Sequence, residues 1–332
     1  MDFALSEEQA ELAATVRSLL EKRADSGAVR AASTSEEGFD RGLWETLCEI
    51  GVPALPLPEQ YDGVDATFFE SAVVLEELGR SLAPSPLLAT TVATHALLAA
   101  GTDEARQRLL PRIAAGEIAT IALDPALPVL DGDRTAILLA VVGDDLVELD
   151  PATAKAAWAE SMDQSIRLAT VDLGAASATR VGAGGAARAR AELIGAAAVS
   201  ALAVGLCDRA LRMTVDYSKE RVQFGRPIGS FQALKHRMAD MLARTELARS
   251  ASWAASYAVA DAATDVDETA FQVRSAASYA LEAASHLAAE CVQLHGGIAI
   301  TWEHDAHLVF KRAHALGQLF GPPHAHRAAL AL

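Results

Sequence analysis

From about Ala186 onward the sequence is a succession of long alanine-rich stretches, Ala187 to Glu220, Phe231 to Ala262, Glu268 to Leu294 and Trp302 to Leu319, divided by short connections. Alanine is the strongest helix former, and long helices joined this closely bury their apolar faces by packing side by side. Residues 184–332 are therefore expected to form a four-helix bundle. Composition agrees: 51% of the 332 residues are hydrophobic, only 5% aromatic and roughly a fifth alanine, which excludes an all-β, collagenous or disordered chain. The length suits two or three packed units.

The first third also reads as helical. Ser6 and Gln9 have the spacing of a capping box, and Leu12, Val16, Leu19 and Leu20 then recur on one face. Phe39 to Ile50, Thr67 to Arg80, Ser85 to Ala100 and Glu104 to Ala115 follow, with Gly51, Gly101 and Gly116 as stops. Residues 1–116 form the expected N-terminal helical domain. At Glu117 the texture changes to short β-prone runs, Ile118 to Leu123, Thr135 to Val142, Leu146 to Leu149 and Ile166 to Leu173, broken by Pro125, Asp131-Gly132 and Gly143-Asp144. Residues 117–183 are expected to be a small middle β domain, making the fold mainly α with a β insert.

With 28 basic and 44 acidic side chains the net charge is −16, which repels nucleic acid and anionic membranes. Cys48, Cys207 and Cys291 lie far apart, so neither a disulfide framework nor a zinc site is encoded. The acidic opening lacks the pattern of a secretory signal, and the apolar run Leu193 to Cys207 is shorter than the roughly 18 residues of a membrane span. A cytoplasmic location without a membrane span is the expectation.

Two motifs point to chemistry. Arg221-Val-Gln-Phe-Gly-Arg-Pro-Ile-Gly-Ser-Phe-Gln232 lies between two long helices. An arginine followed by a turn rich in glycine and proline offers a cation and exposed amides to an anion such as a pyrophosphate; the alternative is an ordinary solvated helix connection. Gln293-Leu-His-Gly-Gly297 ends the third bundle segment, where paired glycines let a flat ligand approach the backbone, or simply stop the helix.

Taken together, Arg221-x-x-Phe224-Gly225, Phe231-Gln232 and Gln293-x-x-Gly296-Gly297 resemble the flavin-binding bundle of the acyl-CoA dehydrogenase family. The domain order and the opening Asp2-Phe3-x-Leu5-x-x-Glu8-Gln9 are similar too, so the resemblance spans the chain. It implies FAD shared between subunits. Arg221 would contact the pyrophosphate, Phe224 would pack on the adenosine half, Gln232 would reach it from the next helix, and Gln293, Gly296 and Gly297 would receive a neighbour's flavin. It further implies an acyl-CoA substrate, an electron-transfer flavoprotein or similar acceptor, and an oligomer. In the family reaction a glutamate removes the proton α to the thioester carbonyl while the β-hydride goes to the flavin.

The sequence departs from that pattern. The usual position of the glutamate falls on Phe320-Gly321-Pro322, and the alternative position used by some members falls on Gly195. Glu192, three residues away, shares nearly the same helical face and is the remaining candidate base, unless it pairs with Arg188 or Arg190. The β segment lacks the family's Thr-Glu-Pro-x-x-Gly-Ser loop, with Asp124-Pro125 as a possible remnant, and the stretch after Pro322-Pro323 is short. These reductions, and Thr301-Trp302-Glu303-His304-Asp305, resemble the reduced subunits of actinobacterial acyl-CoA dehydrogenases that act as heterotetramers on bulky steroid side-chain thioesters. Two expectations follow: a dehydrogenase using Glu192, or a non-catalytic subunit completing the FAD site of a catalytic paralogue.

Other patterns carry less. The spacing of His304, His307, His314, His324 and His326 is poor for a metal, so none is expected. Val181-Gly-Ala-Gly-Gly-Ala-Ala187 mimics a dinucleotide fingerprint without a surrounding βαβ unit and reads as a flexible linker into the bundle. Tyr217 and Lys219 have the wrong spacing for another dehydrogenase signature.

Overall fold

The computed structural model describes residues 4–174, 176–261 and 263–330, so the opening Asp2-Phe3 lies outside the described residues. Helix α1 (Glu7–Arg23) starts with the expected capping box. The Gln9 N–H donates to Ser6 Oγ at 3.2 Å, and the Ser6 N–H donates to Gln9 Oε1 at 3.0 Å. Four of the orphan donors at a helix start have no intrahelical partner, and this pair satisfies two groups at once. Helices α2 (Ser26–Thr34), α3 (Arg41–Glu49), α4 (Phe68–Ser81), α5 (Leu87–Ala100) and α6 (Asp103–Ala114) follow. Asp40 caps α3 and Thr102 caps α6, while left-handed Gly51 (φ 80°) and Gly116 (φ 98°) come just after α3 and α6. The short α2 was not expected from the sequence.

The β segment comprises β1 (Ala119–Ala122), β2 (Val129–Leu130), β3 (Ile137–Val142), β4 (Asp145–Leu149), β5 (Ala157–Ala159), β6 (Leu168–Thr170) and β7 (Ala178–Ala183). They form two small sheets, one ordered β1-β3-β4-β7 and the other β2-β6-β5. Among the described residues β1 and β3 pair in parallel and the other pairs are antiparallel. Ala122, Val129, Leu138, Ala140, Val147, Leu149 and Ala154 bury together, giving the sheets a common core.

Helix α7 (Gly184–Glu220) begins directly after β7, so Val181 to Ala187 is strand and helix rather than a flexible linker. The glycines there serve close approach. A side chain on Gly182 would run into the Ala100 carbonyl at the end of α5, where Gly101 and Gly182 form a β-bridge and the Thr102 N–H donates to the Val181 carbonyl at 2.7 Å.

The chain then forms a two-stranded hairpin, β8 (Val222–Gln223) and β9 (Arg226–Pro227), followed by α8 (Gln232–Ala260), α9 (Val266–His295), α10 (Ala306–Leu316) and α11 (Pro323–Ala328). The expected helix from Trp302 to Leu319 is shorter: a 3-10 turn over residues 296–300 is followed by further turns over residues 301–305, and α10 runs from Ala306 to Leu316. Ala262, the expected end of the second bundle helix, lies outside the described residues.

Two compact units result. One comprises Met1–Ser26, Ala72–Ala83 and Ala196–Leu332, the other Gly27–Ser71 and Pro84–Gly195. In the first, α9 packs against α8, α10 and α11. There α4 and α7 approach closely, since a Cβ on Gly205 would strike the Glu76 carbonyl and one on Gly79 the Leu202 carbonyl. In the second, α5 is buried at every residue from Leu87 to Leu97 and packs on β1. Helix α7 is long and apolar enough to cross a membrane by length and composition, yet 83% of its most apolar stretch is buried inside the chain, as in a core helix.

Candidate functional site

Where α7 ends, the chain reverses through the β8–β9 hairpin, pairing Val222 with Pro227 and Gln223 with Arg226. The two residues at its tip, Phe224 (φ 50°) and Gly225 (φ 77°), are both left-handed, which defines the primed type I turn favoured in two-residue hairpins. Glycine adopts this conformation freely, whereas a bulky residue there is an outlier. Phe224 nevertheless holds it and projects from the tip with 92% of its surface exposed. The Arg221 N–H donates to the Tyr217 carbonyl at 2.9 Å, and the Arg221 carbonyl accepts from the Ile228 N–H at 2.8 Å, closing the base of the hairpin. The Arg221 guanidinium is exposed and has no ion-pair partner among the described residues. Beneath the tip, the Arg226 guanidinium lies 4.1 Å from the centre of the Phe231 ring, which meets Phe224 edge to face at 6.1 Å. Gln232, the first residue of α8, is exposed, and its amide lies 3.3 Å from His236 Nε2.

The second motif occupies the end of α9. Gly296 takes φ 66° and ψ −143°, a conformation essentially confined to glycine, and ends the helix. A Cβ on either Gly296 or Gly297 would meet nothing within 4 Å. The chain's own packing therefore gives Gly297 no reason to lack a side chain, and the open space above it suits a partner approaching the backbone. Gln293 is exposed beside it.

The preceding His295 is buried, and its ring stacks on Tyr217 at 4.5 Å and tilts against His304 at 4.5 Å. Its Nδ1–H donates to the Cys291 carbonyl at 2.7 Å. Burial holds the His295 imidazole below its ordinary range against the opposing effect of that bond, so the ring is neutral near pH 7. Tyr217 lies one turn before Arg221, and His295 is next to Gly296. The stack thus brings the ends of α7 and α9, and both motifs, to the same end of this unit. Neither Tyr217 nor His295 was singled out for this from the sequence; their positions one turn or one residue from the motifs were the available signal.

Candidate base positions are less suited to proton abstraction. Glu192, on α7 within the other unit, has a 56% exposed side chain whose carboxylate lies 3.7 Å from Arg188. A carboxylate paired and in water is well solvated, whereas a base acting on a carbon acid works from a dry pocket. Gly195 is buried and has no ionisable group. Phe320 (φ 54°) and Gly321 (φ 106°) form a left-handed pair before Pro322 caps α11, and the His326 ring lies against Gly321. Among the described residues no group of three or more His, Cys, Asp or Glu side chains is arranged to hold a metal ion.

An exposed arginine, a projecting aromatic ring and an open glycine turn thus lie at one end of this unit. The chain belongs to the acyl-CoA dehydrogenase family: residues 6–117 match its N-terminal domain and residues 183–331 its C-terminal domain. Among individual relatives, it is 44% identical over 320 residues to the acyl-CoA dehydrogenase IpdE2 of Mycolicibacterium smegmatis, covering 96% of each chain. Solved structures similar to it include the Tcur3481-Tcur3483 steroid ACAD G363A variant, with TM-score 0.87, 28% identity and coverage of 98% of this chain and 97% of that one. The ChsE4-ChsE5 complex from Mycobacterium tuberculosis shares the fold, with TM-score 0.88, 24% identity and coverage of 100% and 98%.

Proposed function

We propose that the chain is a subunit of an FAD-dependent acyl-CoA dehydrogenase that introduces an α,β double bond into a CoA thioester, and that it completes the flavin site of a catalytic paralogue. The carrying observation is that the Arg221 guanidinium, the Phe224 ring and the Gly296-Gly297 turn are all exposed, the guanidinium without an ion-pair partner among the described residues and Gly297 without an internal packing reason to lack a side chain. Their chemistry fits FAD. The Arg221 guanidinium suits the pyrophosphate, the Phe224 face suits the adenine, Gln232 offers its amide from the start of α8, and Gln293, Gly296 and Gly297 leave backbone open to the isoalloxazine of a neighbouring subunit. When bound, FAD supplies the hydride acceptor and passes electrons to an electron-transfer flavoprotein or similar acceptor. The chain's own part is to bind and orient, with Phe231 and Arg226 bracing the hairpin tip.

The same reading divides the chain at 116/117 and 183/184 into helical, β and bundle domains and assigns it to the cytoplasm. Likeness to the Tcur3481-Tcur3483 steroid ACAD supports a bulky or steroid-derived acyl group as substrate. The exposed, arginine-paired state of Glu192 favours a partner as the source of the base. In the second reading Glu192 itself removes the α-proton; its position on the helical face near Gly195 is what supports that role.

The test is to purify the chain alone and with a co-expressed paralogue, then record flavin absorption and thioester-dependent dye reduction. Flavin and turnover that arise only on co-expression are the expected result, with Glu192→Gln leaving turnover of the complex within about twofold. Flavin and turnover in the lone chain, abolished by Glu192→Gln, would establish the second reading instead.

A further inference from the structure

Neither Tyr217 nor His295 is among the residues expected to bind a ligand, yet together they form a contact between the two motifs. Arg221 follows Tyr217 by one turn of α7, and its N–H donates to the Tyr217 carbonyl at 2.9 Å. The Tyr217 ring stacks on the His295 ring, 4.5 Å between centres and 28° between planes. His295 is the last residue of α9 and is joined directly to Gly296. One hydrogen bond, one ring stack and one peptide bond therefore run from the arginine of the hairpin to the first glycine of the turn, all within the same compact unit.

These residue types suit orientation as much as packing. A leucine could fill the space at position 295, but it has no plane to align. The His295 Nδ1–H donates to the Cys291 carbonyl at 2.7 Å, which fixes the imidazole plane relative to α9. His304 packs on the same ring at 4.5 Å and meets Tyr217 edge to face at 6.2 Å. Its Nδ1 accepts the N–H of Ala306, the first residue of α10, at 3.1 Å, so this third ring is held by backbone as well. With His295 buried and its plane set, the Tyr217 ring has little room to slide, and the end of α7 keeps its register with the end of α9. A ligand that touches both motifs at once loses affinity with any mismatch in their spacing.

We propose that Tyr217 and His295 are positioning residues for FAD binding: their stack fixes the spacing between the Arg221 hairpin and the Gly296-Gly297 turn, so that both engage one cofactor together. This rests on the FAD reading above and deepens it, adding two residues that act through Arg221 and the glycine turn.

The experiment is a double-mutant cycle on FAD affinity, measured by fluorescence titration of the complex formed with the co-expressed paralogue after its flavin has been removed. Tyr217→Leu is expected to weaken FAD binding about tenfold in the native background but by no more than about threefold beside Arg221→Ala, because a ring that positions Arg221 matters less once Arg221 is gone. Tyr217→Phe keeps the ring and should bind FAD within about twofold of wild type. A purely structural role would give the same loss in both backgrounds, and that result, or no loss at all, would overturn the proposal. His295→Leu breaks the same stack from α9 and takes the place of Tyr217→Leu in the cycle if the circular dichroism of the lone chain shows that variant unfolded. Arg221→Ala without effect on FAD affinity would instead overturn the FAD reading of the hairpin, and this proposal with it.

Discussion

Asp131 is 6% exposed in the turn after β2 and takes a left-handed φ of 51°. Its backbone is fixed on both sides, with its N–H donating to the Arg167 carbonyl and its carbonyl accepting from the Arg134 N–H, each at 3.0 Å. Burial, and then the negative charge of Asp133, push its carboxyl up to about 8 against the opposing charge of Arg167, which pairs with Asp133 instead. The folded state therefore holds a proton that the unfolded chain releases near pH 4. The contribution of Asp131 to stability is greatest below that pH and falls as pH rises toward 8, at about 1.4 kcal/mol for each unit across the window. Asparagine tolerates the same left-handed backbone and cannot ionise. Asp131→Asn should accordingly match wild type in urea unfolding at pH 4 and exceed it by an increasing margin between pH 5 and pH 8; a constant difference across that range would refute the assignment. None of this was legible in the sequence, where Asp131-Gly132 looks like any solvated turn. The turns at Phe224-Gly225 and Gly296-Gly297 were legible because glycine after a long helical run marks a reversal or a helix end, although the strained φ of Phe224 was not.

Arg80 on α4 joins three carboxylates, pairing with Glu76, Glu77 and Asp208. Arg17 of α1 reaches Glu77 through two bonds of 3.0 and 2.7 Å, and from α8 Arg249 and Trp253 reach Glu76 at 3.1 and 3.2 Å. One buried polar network thus ties α1, α4, α7 and α8 where Gly79 and Gly205 let α4 and α7 meet backbone to backbone. Burial lowers the Arg80 pKa, the Glu77 charge being the largest effect against it, so the guanidinium persists because of its partners. Arg80→Met would remove the cation that three carboxylates share, leaving Glu77 to Arg17, Glu76 to Arg249 and Asp208 to Arg212, and the expected loss is about 3 kcal/mol in chemical denaturation, against well under 1 kcal/mol for an exposed pair such as Lys219 with Asp216. A loss no larger than that of Lys219→Met would show that the network contributes little. The long helices of this unit were readable because alanine content and 3.6-residue periodicity extend over many turns. β2, β5 and α11 were not, since elements of two, three and six residues are too short to show a period. Val181 to Ala187 was misread for a different reason: its glycines are demanded by the backbone of α5, which only tertiary structure reveals.

At the scale of the whole molecule, the proposed flavin surface is one that a neighbouring subunit would have to complete. The motifs at the ends of α7 and α9 are built on rigid supports, the Arg226–Phe231 brace and the Tyr217–His295 stack, while the groups they present face outward. Such an arrangement separates stability from function wherever a presenting residue has an ordinary backbone conformation and open space around it. Gly297 offers the cleanest separation. Its backbone is not in the left-handed region, and an added Cβ meets no atom within 4 Å, so Gly297→Val should leave the unfolding free energy of the lone chain within about 0.5 kcal/mol of wild type. If a flavin supplied jointly with a paralogue lies over that turn, the two added methyl groups occupy its place. Flavin content of the co-purified complex should then fall about tenfold or more, with the lone chain's circular dichroism and melting unchanged. Gly225 provides the internal control in the opposite sense: it too meets nothing within 4 Å, but its φ of 77° makes any side chain strained, so Gly225→Val should disturb the hairpin itself. Full flavin retention in Gly297→Val would mean that the twin-glycine turn receives no cofactor, and the flavin surface would shrink to the arginine-led hairpin alone.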